Sequence, residues 1–385
     1  MSLSRKLLAG TAALGVTAGA AVLARRHPVL GGTPEGDRLD RMRRSPQWAD
    51  GAFRNPLPMD SAGGADTVVE FFLGDKSLRQ PSGPVPTVAR TADDFAARHD
   101  LRLTWLGHGT TLVELEGRRL LIDPVFSRNA SPGPLFGVAR FFEPPLPLDE
   151  LPRLDAVVLT HDHYDHLDYA AVRELAGRVP RWVCPLGVGA HLERWGVPAA
   201  RVTECDWWDE AEVDGLRLVC TPARHFSGRF LDDRNRTLWS GWALLGAERR
   251  VYATGDGGFG PHFAEVGERL GPFEATLAEV GAYNAGWADV HMGPEQAVRA
   301  VQDARGGLLV PVHWGTFNLS FHGWTEPAER TLVAAEAAGV PVAVPMPGQS
   351  VEPTDAPAVE RWWPELPWQT AEEAPVVSSG LERAA

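Results

Sequence analysis

The chain has 385 residues, enough for one large domain with extensions or for two ordinary domains, and room for a sizeable core. Its 44% hydrophobic and 23% charged residues are those of a soluble globular protein, and the formal net charge of -13 argues against nucleic acid as a partner, because phosphate binding needs a basic surface. Cys184, Cys205 and Cys220 are odd in number and lack CxxC spacing, which speaks against a disulfide framework and predicts buried thiols.

In chain order, Arg5-Lys6 precede an uncharged run from Leu7 to Ala24, followed by Arg25-Arg26. That run of about 18 residues is near the lower limit for a spanning helix, and charge on both flanks leaves its orientation open. Residues 1–26 are therefore expected to be a membrane anchor or uncleaved signal, making the protein membrane-associated; a cleaved signal and a soluble leader are the alternatives, with the body exported or cytoplasmic. Residues 27–98, rich in Pro, Gly, Arg and Asp, read as an extension draped over the main body, with Val68 to Leu73 as one ordered piece. From Leu101 short apolar runs alternate with turn signals. Leu103–Leu106, Thr111–Leu115 and Arg119–Asp123 read as successive strands, then Arg153–Thr160 and Arg181–Cys184, separated by a helix over Tyr169–Ala176. A second series of strands covers Leu216–Cys220, Leu238–Leu245, Arg250–Ala253, Ala275–Glu279 and Leu308–Val312, with a helix opened by Pro294 before the last. Two strand-rich halves with interspersed helices point to a layered α/β body at 99–350, followed by a partly ordered tail at 351–385.

One heptapeptide stands out: His161-Asp-His-Tyr-Asp-His-Leu167, directly after the apolar run Asp155–Thr160. Imidazoles and carboxylates so concentrated suit zinc or a similar divalent ion. Alternation along extended backbone lets His161 and His163 face one side. Asp165 and His166 lie just beyond, where a turn could aim them at a second ion. A merely exposed polar loop is the bland alternative. Four more polar residues stand immediately after apolar runs or at a helix entry: His225, Asp256, His313 and His291. Fourteen tryptophans fit either a pocket with aromatic walls or core packing. Gly255-Asp-Gly-Gly-Phe-Gly260 matches G-x-G-x-x-G after a strand, but Pro261-His262 is a poor opening for the helix a dinucleotide site requires. Neither a GxSxG elbow nor a P-loop is found.

The order H-x-H-x-D-H, distant His, Gly-Asp, late His resembles the metallo-β-lactamase superfamily. Trp105-Leu-Gly-His-Gly-Thr-Thr, Asp123-Pro-Val-Phe-Ser, Asp206-Trp-Trp, Gly281-Ala-Tyr283 and His313-Trp-Gly-Thr-Phe317 further resemble the branch containing N-acylphosphatidylethanolamine-hydrolysing phospholipase D and bacterial relatives, over about residues 99–345. The resemblance implies a four-layer αββα sandwich and two Zn2+ (other divalent transition metals being accepted by such ligands). One ion would be held by His161, His163 and His225, the second by Asp165, His166 and His313, with Asp256 bridging and a metal-bridging hydroxide as nucleophile. It further implies that Asp165 orients the nucleophile or takes a proton, and that His291 stabilises or protonates the leaving group. Asp123 would support the ligands from behind, Tyr164 and Tyr283 would line the substrate pocket, and the protein would form a homodimer. Departures exist: Gly-Asp-Gly-Gly replaces Gly-Asp-Thr-Gly, Phe226 replaces a Trp, and Asn284-Ala-Gly-Trp-Ala-Asp289 replaces a basic aromatic stretch. The expected activity is a phosphodiesterase acting on a phospholipid. A metallohydrolase of a soluble lactone or phosphate ester, and a non-catalytic metal-binding membrane module, are the alternatives.

Overall fold

The computed structural model describes residues 27–59, 70–71, 73–132 and 137–381. The leader at 1–26, and Val68, Val69 and Phe72 of the apolar piece, lie outside the described residues. Helix α1 (Gly36–Arg43) belongs to the N-terminal segment and is tied to the body by Arg38, which pairs with Glu193 and, at 2.8 Å, with Glu204.

The body begins as an antiparallel meander: β1 (Leu101–Gly107), β2 (Thr110–Leu115) and β3 (Arg118–Ile122). Glu116 and Gly117, at φ 45° and 73°, close the β2–β3 hairpin in the left-handed region that a two-residue turn requires. The chain then switches to parallel pairing in β4 (Ala156–Val158), β5 (Trp182–Pro185) and β6 (Val202–Cys205), with helices α2 (Tyr169–Leu175) and α3 (Gly189–Arg194) as crossovers. Such parallel connections need a helix to return the chain to the same sheet edge. A second, six-stranded sheet follows: β7 (Glu210–Val213), β8 (Leu216–Thr221), β9 (Gly241–Leu245), β10 (Arg250–Ala253), β11 (Phe273–Glu279) and β12 (Gly306–Val312), hydrogen-bonded in that order. Its last strands are parallel, crossed by α4 (His262–Leu270) and α5 (Pro294–Asp303). After α6 (Glu326–Ala338), β13 (Ser350–Val351) returns to the edge of the first, seven-stranded sheet beside β1.

Side-chain alternation turns these two sheets into four layers. Leu103, Val113, Leu120, Ile122 and Val158 of the first sheet meet Leu218, Ala243, Val251, Leu277 and Val310 of the second in one central core. The intervening residues Leu112, Leu121 and Val157 point outward onto Val172 and Leu175 of α2 and Leu192 of α3. On the far side Ala278 and Leu309 pack on Val298 and Val301 of α5 and Ala335 of α6. The result is helix, sheet, sheet, helix, the four-layer sandwich that the family resemblance implied. Both central strands of each sheet are apolar on both faces because each face is covered. Trp239 and Trp242, 1% and 0% exposed, fill this core rather than a pocket wall. Truncating Trp242 to alanine is expected to cost about 3–5 kcal/mol.

The elements the pattern did not announce include β6, β7, α3, α4 and the 13-residue α6. β7 is a four-residue edge strand and α3 a six-residue helix. The expectation that Pro261-His262 cannot open a helix is corrected: α4 starts at His262 with Pro261 as its N-cap. Proline has no amide hydrogen to lose at a helix start, so it is tolerated there. The C-terminal segment is also better anchored than a partly ordered tail. Trp362 and Trp363 pack against Trp314, and Ser379 N and Oγ donate to Asp289.

Candidate metal centre

Five strand ends converge on one spot, at the edge where both sheets expose their C-terminal residues. His161 and His163 follow β4, His225 follows β8, Asp256 follows β10, Glu279 ends β11 and His313 follows β12. Strand ends can carry such groups because the core stops there, while the strands keep them in register. His313 adopts φ 64°, the turn needed to swing its ring back over the sheet edge.

Two half-sites share one carboxylate. In the first, His161 Nε2 lies 2.9 Å and His225 Nε2 3.2 Å from His163 Nδ1. In the second, Asp165 Oδ2 is 3.6 Å from His166 Nε2 and 3.4 Å from His313 Nε2. Asp256 Oδ2 stands between them, 3.1 Å from His166 Nε2 and 2.9 Å from His313 Nε2, and 3.9 Å from the Nε2 atoms of both His161 and His225. All the prospective ligand atoms in each group lie within 4.8 Å of one another.

The remaining ring nitrogens are held from behind. His166 Nδ1 meets Asp123 Oδ2 at 2.7 Å, His161 Nδ1 meets Thr160 Oγ1 at 2.9 Å, and His225 Nδ1 donates to the Val290 carbonyl at 3.0 Å. Asp123 also accepts from Thr160 N and Oγ1. Such outer contacts fix which nitrogen each imidazole turns inward. By contrast, the inward Nε2 atoms of His166 and His313 are buried and make no hydrogen bond of acceptable geometry. Buried polar atoms are rarely left so. An imidazole and carboxylate donor set with unsatisfied inward atoms fits divalent cations, and the fold and these clusters together imply their use.

Charge is distributed unevenly over the two halves. Burial, reinforced by neighbouring imidazoles, holds His161 and His225 well below the ordinary histidine range, and burial brings His163 to about 4. In the other half burial also favours the neutral imidazole, but Asp256 and Asp165 outweigh it, raising His166 well above its usual value and His313 to about 10. Asp256 itself is raised by burial and lowered more by His166 and His313, ending well below the usual carboxylate range.

The other anticipated residues are placed as follows. His291 reaches the rim: its Nδ1 contacts Glu279 Oε1 and lies 4.0 Å from Asp256 Oδ2. Tyr164 is half-buried, donates its hydroxyl to the Arg229 carbonyl at 2.7 Å, and has the Arg229 guanidinium over its ring. Tyr283, expected in the substrate pocket, is placed beside α6. It is buried, and its hydroxyl is spent on Glu326 at 2.7 Å rather than turned to the centre. Phe226 packs edge-on against His163, 4.5 Å between centroids. The three cysteines are free and buried, as expected.

Three residues of the site were not singled out from sequence. His108, at φ 52° between two glycines, places Nε2 2.9 Å from Asp165 Oδ2, and its carbonyl accepts from His313 N at 3.0 Å. A histidine in a glycine turn between two strands was the available signal. Asp162, inside the heptapeptide, accepts from Gly228 N and Thr237 Oγ1 at 2.7 Å each, fastening the loop to the second sheet's connections. Glu279 is the only acid among the inward residues of β11, at 0% exposure. The glycines of the 255–260 loop serve close packing: a Cβ on Gly258 would sit 2.4 Å from the Asp289 carbonyl. That explains the G-x-G-x-x-G match without a nucleotide, although α4 does follow it.

Residues 118–314 match the family described as the beta-lactamase superfamily domain. An uncharacterized protein of Mycobacterium tuberculosis, Rv0906, is 46% identical over 373 residues, covering 93% of this chain and 98% of that protein. The Caenorhabditis elegans N-acyl-phosphatidylethanolamine-hydrolyzing phospholipase D 1 is 37% identical over 289 residues, 69% of this chain and 81% of that protein. In fold, the chain is similar to Igni18, a metallo hydrolase of Ignicoccus hospitalis, with a TM-score of 0.50 at 24% identity over 65% of this chain and 97% of that one. The chain thus belongs to the metallo-β-lactamase superfamily and is a metal-dependent hydrolase of it.

Proposed function

We propose that this hydrolase is a dinuclear phosphodiesterase that cleaves a phospholipid of the N-acylphosphatidylethanolamine type. The observation that carries the reading is the position of Asp256, whose Oδ2 reaches both the His161/His225 and the His166/His313 nitrogens. His161, His163 and His225 would hold one Zn2+, and Asp165, His166 and His313 the other, with Asp256 shared. Two such ions lower the pKa of water and neutralise charge on a phosphoryl group. The C. elegans relative, by its name, supports the substrate class.

The protein's own groups divide the remaining work. Asp165, with 16% of its side chain exposed, and His291, with 15%, mark the open side from which a substrate would approach. Asp165 is held by His108 and orients the attacking oxygen. As the oxygen–phosphorus bond to the new hydroxyl forms, the phosphorus–oxygen bond to the leaving alcohol breaks; the proton shed by the attacking water, taken by Asp165, ends on that alcohol, whose oxygen His291 stabilises by a hydrogen bond. Burial and His313 bring His291 to about 4, against Asp256, so at neutral pH the ion-free ring is neutral and serves as an N–H hydrogen-bond donor rather than as a proton source. Membrane association would come from residues 1–26.

A second reading, hydrolysis of a soluble phosphate ester or lactone, is favoured by one feature. The loop after Tyr283 brings no basic residue to the rim, and Trp287 donates Nε1 to the Ala282 carbonyl instead. Zinc-loaded protein incubated with N-acylphosphatidylethanolamine vesicles should release phosphatidic acid, and Asp256→Asn should not. Turnover of soluble esters but of no phospholipid would replace the first reading with the second.

A further inference from the structure

Glu279 is a carboxyl buried completely at the end of a strand whose other residues on the same face, Phe273, Ala275 and Leu277, are apolar, so packing there asks for no acid. Burying it is unfavourable unless its oxygens are occupied. One is: Oε2 accepts from Gly257 N at 2.6 Å, the amide next to Asp256. The other, Oε1, contacts Nδ1 of His291 and lies 3.9 Å from Nδ1 of His313. The register that pairs Glu279 with Val312 brings it beside His313. Apart from Asp256 Oδ2, 4.0 Å from the same Nδ1, the His291 ring meets the rings of His225 and His313, with centroids 5.1 Å and 5.2 Å away. A neutral imidazole held by such contacts can present either nitrogen. A carboxyl on Nδ1 removes that choice.

We propose that Glu279 is the positioning residue for His291: its carboxyl O–H donates to Nδ1, so that the ring hydrogen stands on Nε2 and faces the leaving oxygen, and through Gly257 it ties that orientation to the Asp256 loop. This rests on the role given to His291 above. Nothing in the claim requires Glu279 to touch substrate or to hold an ion.

The test uses zinc-loaded protein with Glu279→Ala, Glu279→Gln and His291→Ala, singly and combined. Nitrogen-15 NMR of the histidines should show one tautomer for His291 in the parent protein and a mixture in Glu279→Ala. With bis(4-nitrophenyl) phosphate, Glu279→Ala should lower kcat about 10–100-fold with KM and bound zinc unchanged. Glu279→Gln, which keeps a hydrogen-bonding group, should recover part of that. In the His291→Ala background the Glu279 change should add nothing. Loss of zinc with Glu279→Ala, multiplicative losses in the double variant, or an unchanged His291 tautomer would each overturn the proposal. If the parent protein hydrolyses no phosphodiester, the functional reading fails while the NMR signals still decide the claim about Glu279.

Discussion

The two halves of the centre use nearly the same residue types yet differ in electrical character. His161, His163 and His225 are three imidazoles whose own environment strips them of protons, with His163 at about 4. Asp165, His166 and His313 mix carboxylate with imidazole, and the ion-free protein keeps protons there, with His313 raised to about 10. Burial is the largest influence on every one of these imidazoles. What separates the halves is how near the acids stand: Asp256 Oδ2 is 3.9 Å from the first set and about 3 Å from the second. The lesson is that a shared carboxylate need not be shared equally. Before any ion binds, the protein already distinguishes a half open to a cation from a half occupied by protons.

Four experiments would break or sharpen that contrast. The largest effect should follow removal of ions from both halves: chelation is expected to abolish hydrolysis, by about a thousandfold or more, with recovery on adding zinc. Activity that survives exhaustive chelation, with metal absent by elemental analysis, would end the dinuclear reading. Next, Asp256→Asn removes the common element. It should reduce kcat/KM on the order of 10²–10³-fold, several kcal/mol of barrier, and leave bound metal below two equivalents. If two equivalents and full turnover remain, Asp256 joins nothing.

A smaller effect is expected from behind the second half alone. Asp123→Ala removes the acid on His166 Nδ1 and should weaken metal binding about 10–100-fold at one site while sparing the other, read by competition with a chelating dye. Equal weakening of both sites would erase the distinction between halves. The smallest effect concerns protons. At pH 7 the first half is already deprotonated, whereas His166 and His313 must release protons for a cation to bind. Uptake into the second half should therefore strengthen as pH rises toward 10, and uptake into the first should be flat above pH 4. Zinc titrations in buffers of different ionisation enthalpy would measure the release, and identical values for both steps would refute the contrast.

The legibility of the molecule followed the same physical line. Strands β1 to β3 and β8 to β12 could be read because a covered sheet face demands apolar alternation, and the seven prospective ligands could be read because imidazoles and acids following apolar runs have few other uses. Edge strand β7, with alternate residues exposed, and the six-residue α3 carry too little apolar signal to announce themselves. His108 and Glu279 escaped for another reason: each is a lone polar residue whose partner lies far away in sequence, Asp165 for one and His291 for the other. The motif around Tyr283 likewise says nothing of its hydroxyl's partner Glu326, 43 residues on.

By itself the sequence determined the layered α/β architecture and the presence of residues able to bind divalent ions, since periodicity and donor chemistry are local properties of the chain, while their grouping was an expectation drawn from the family resemblance. Only the tertiary structure decided that Asp256 leans toward one half, that Glu279 and His108 stand behind the rim, and that Tyr283 turns away. Those outcomes depend on distances of a few ångströms between strand ends, which are set when two sheets pack face to face and not before.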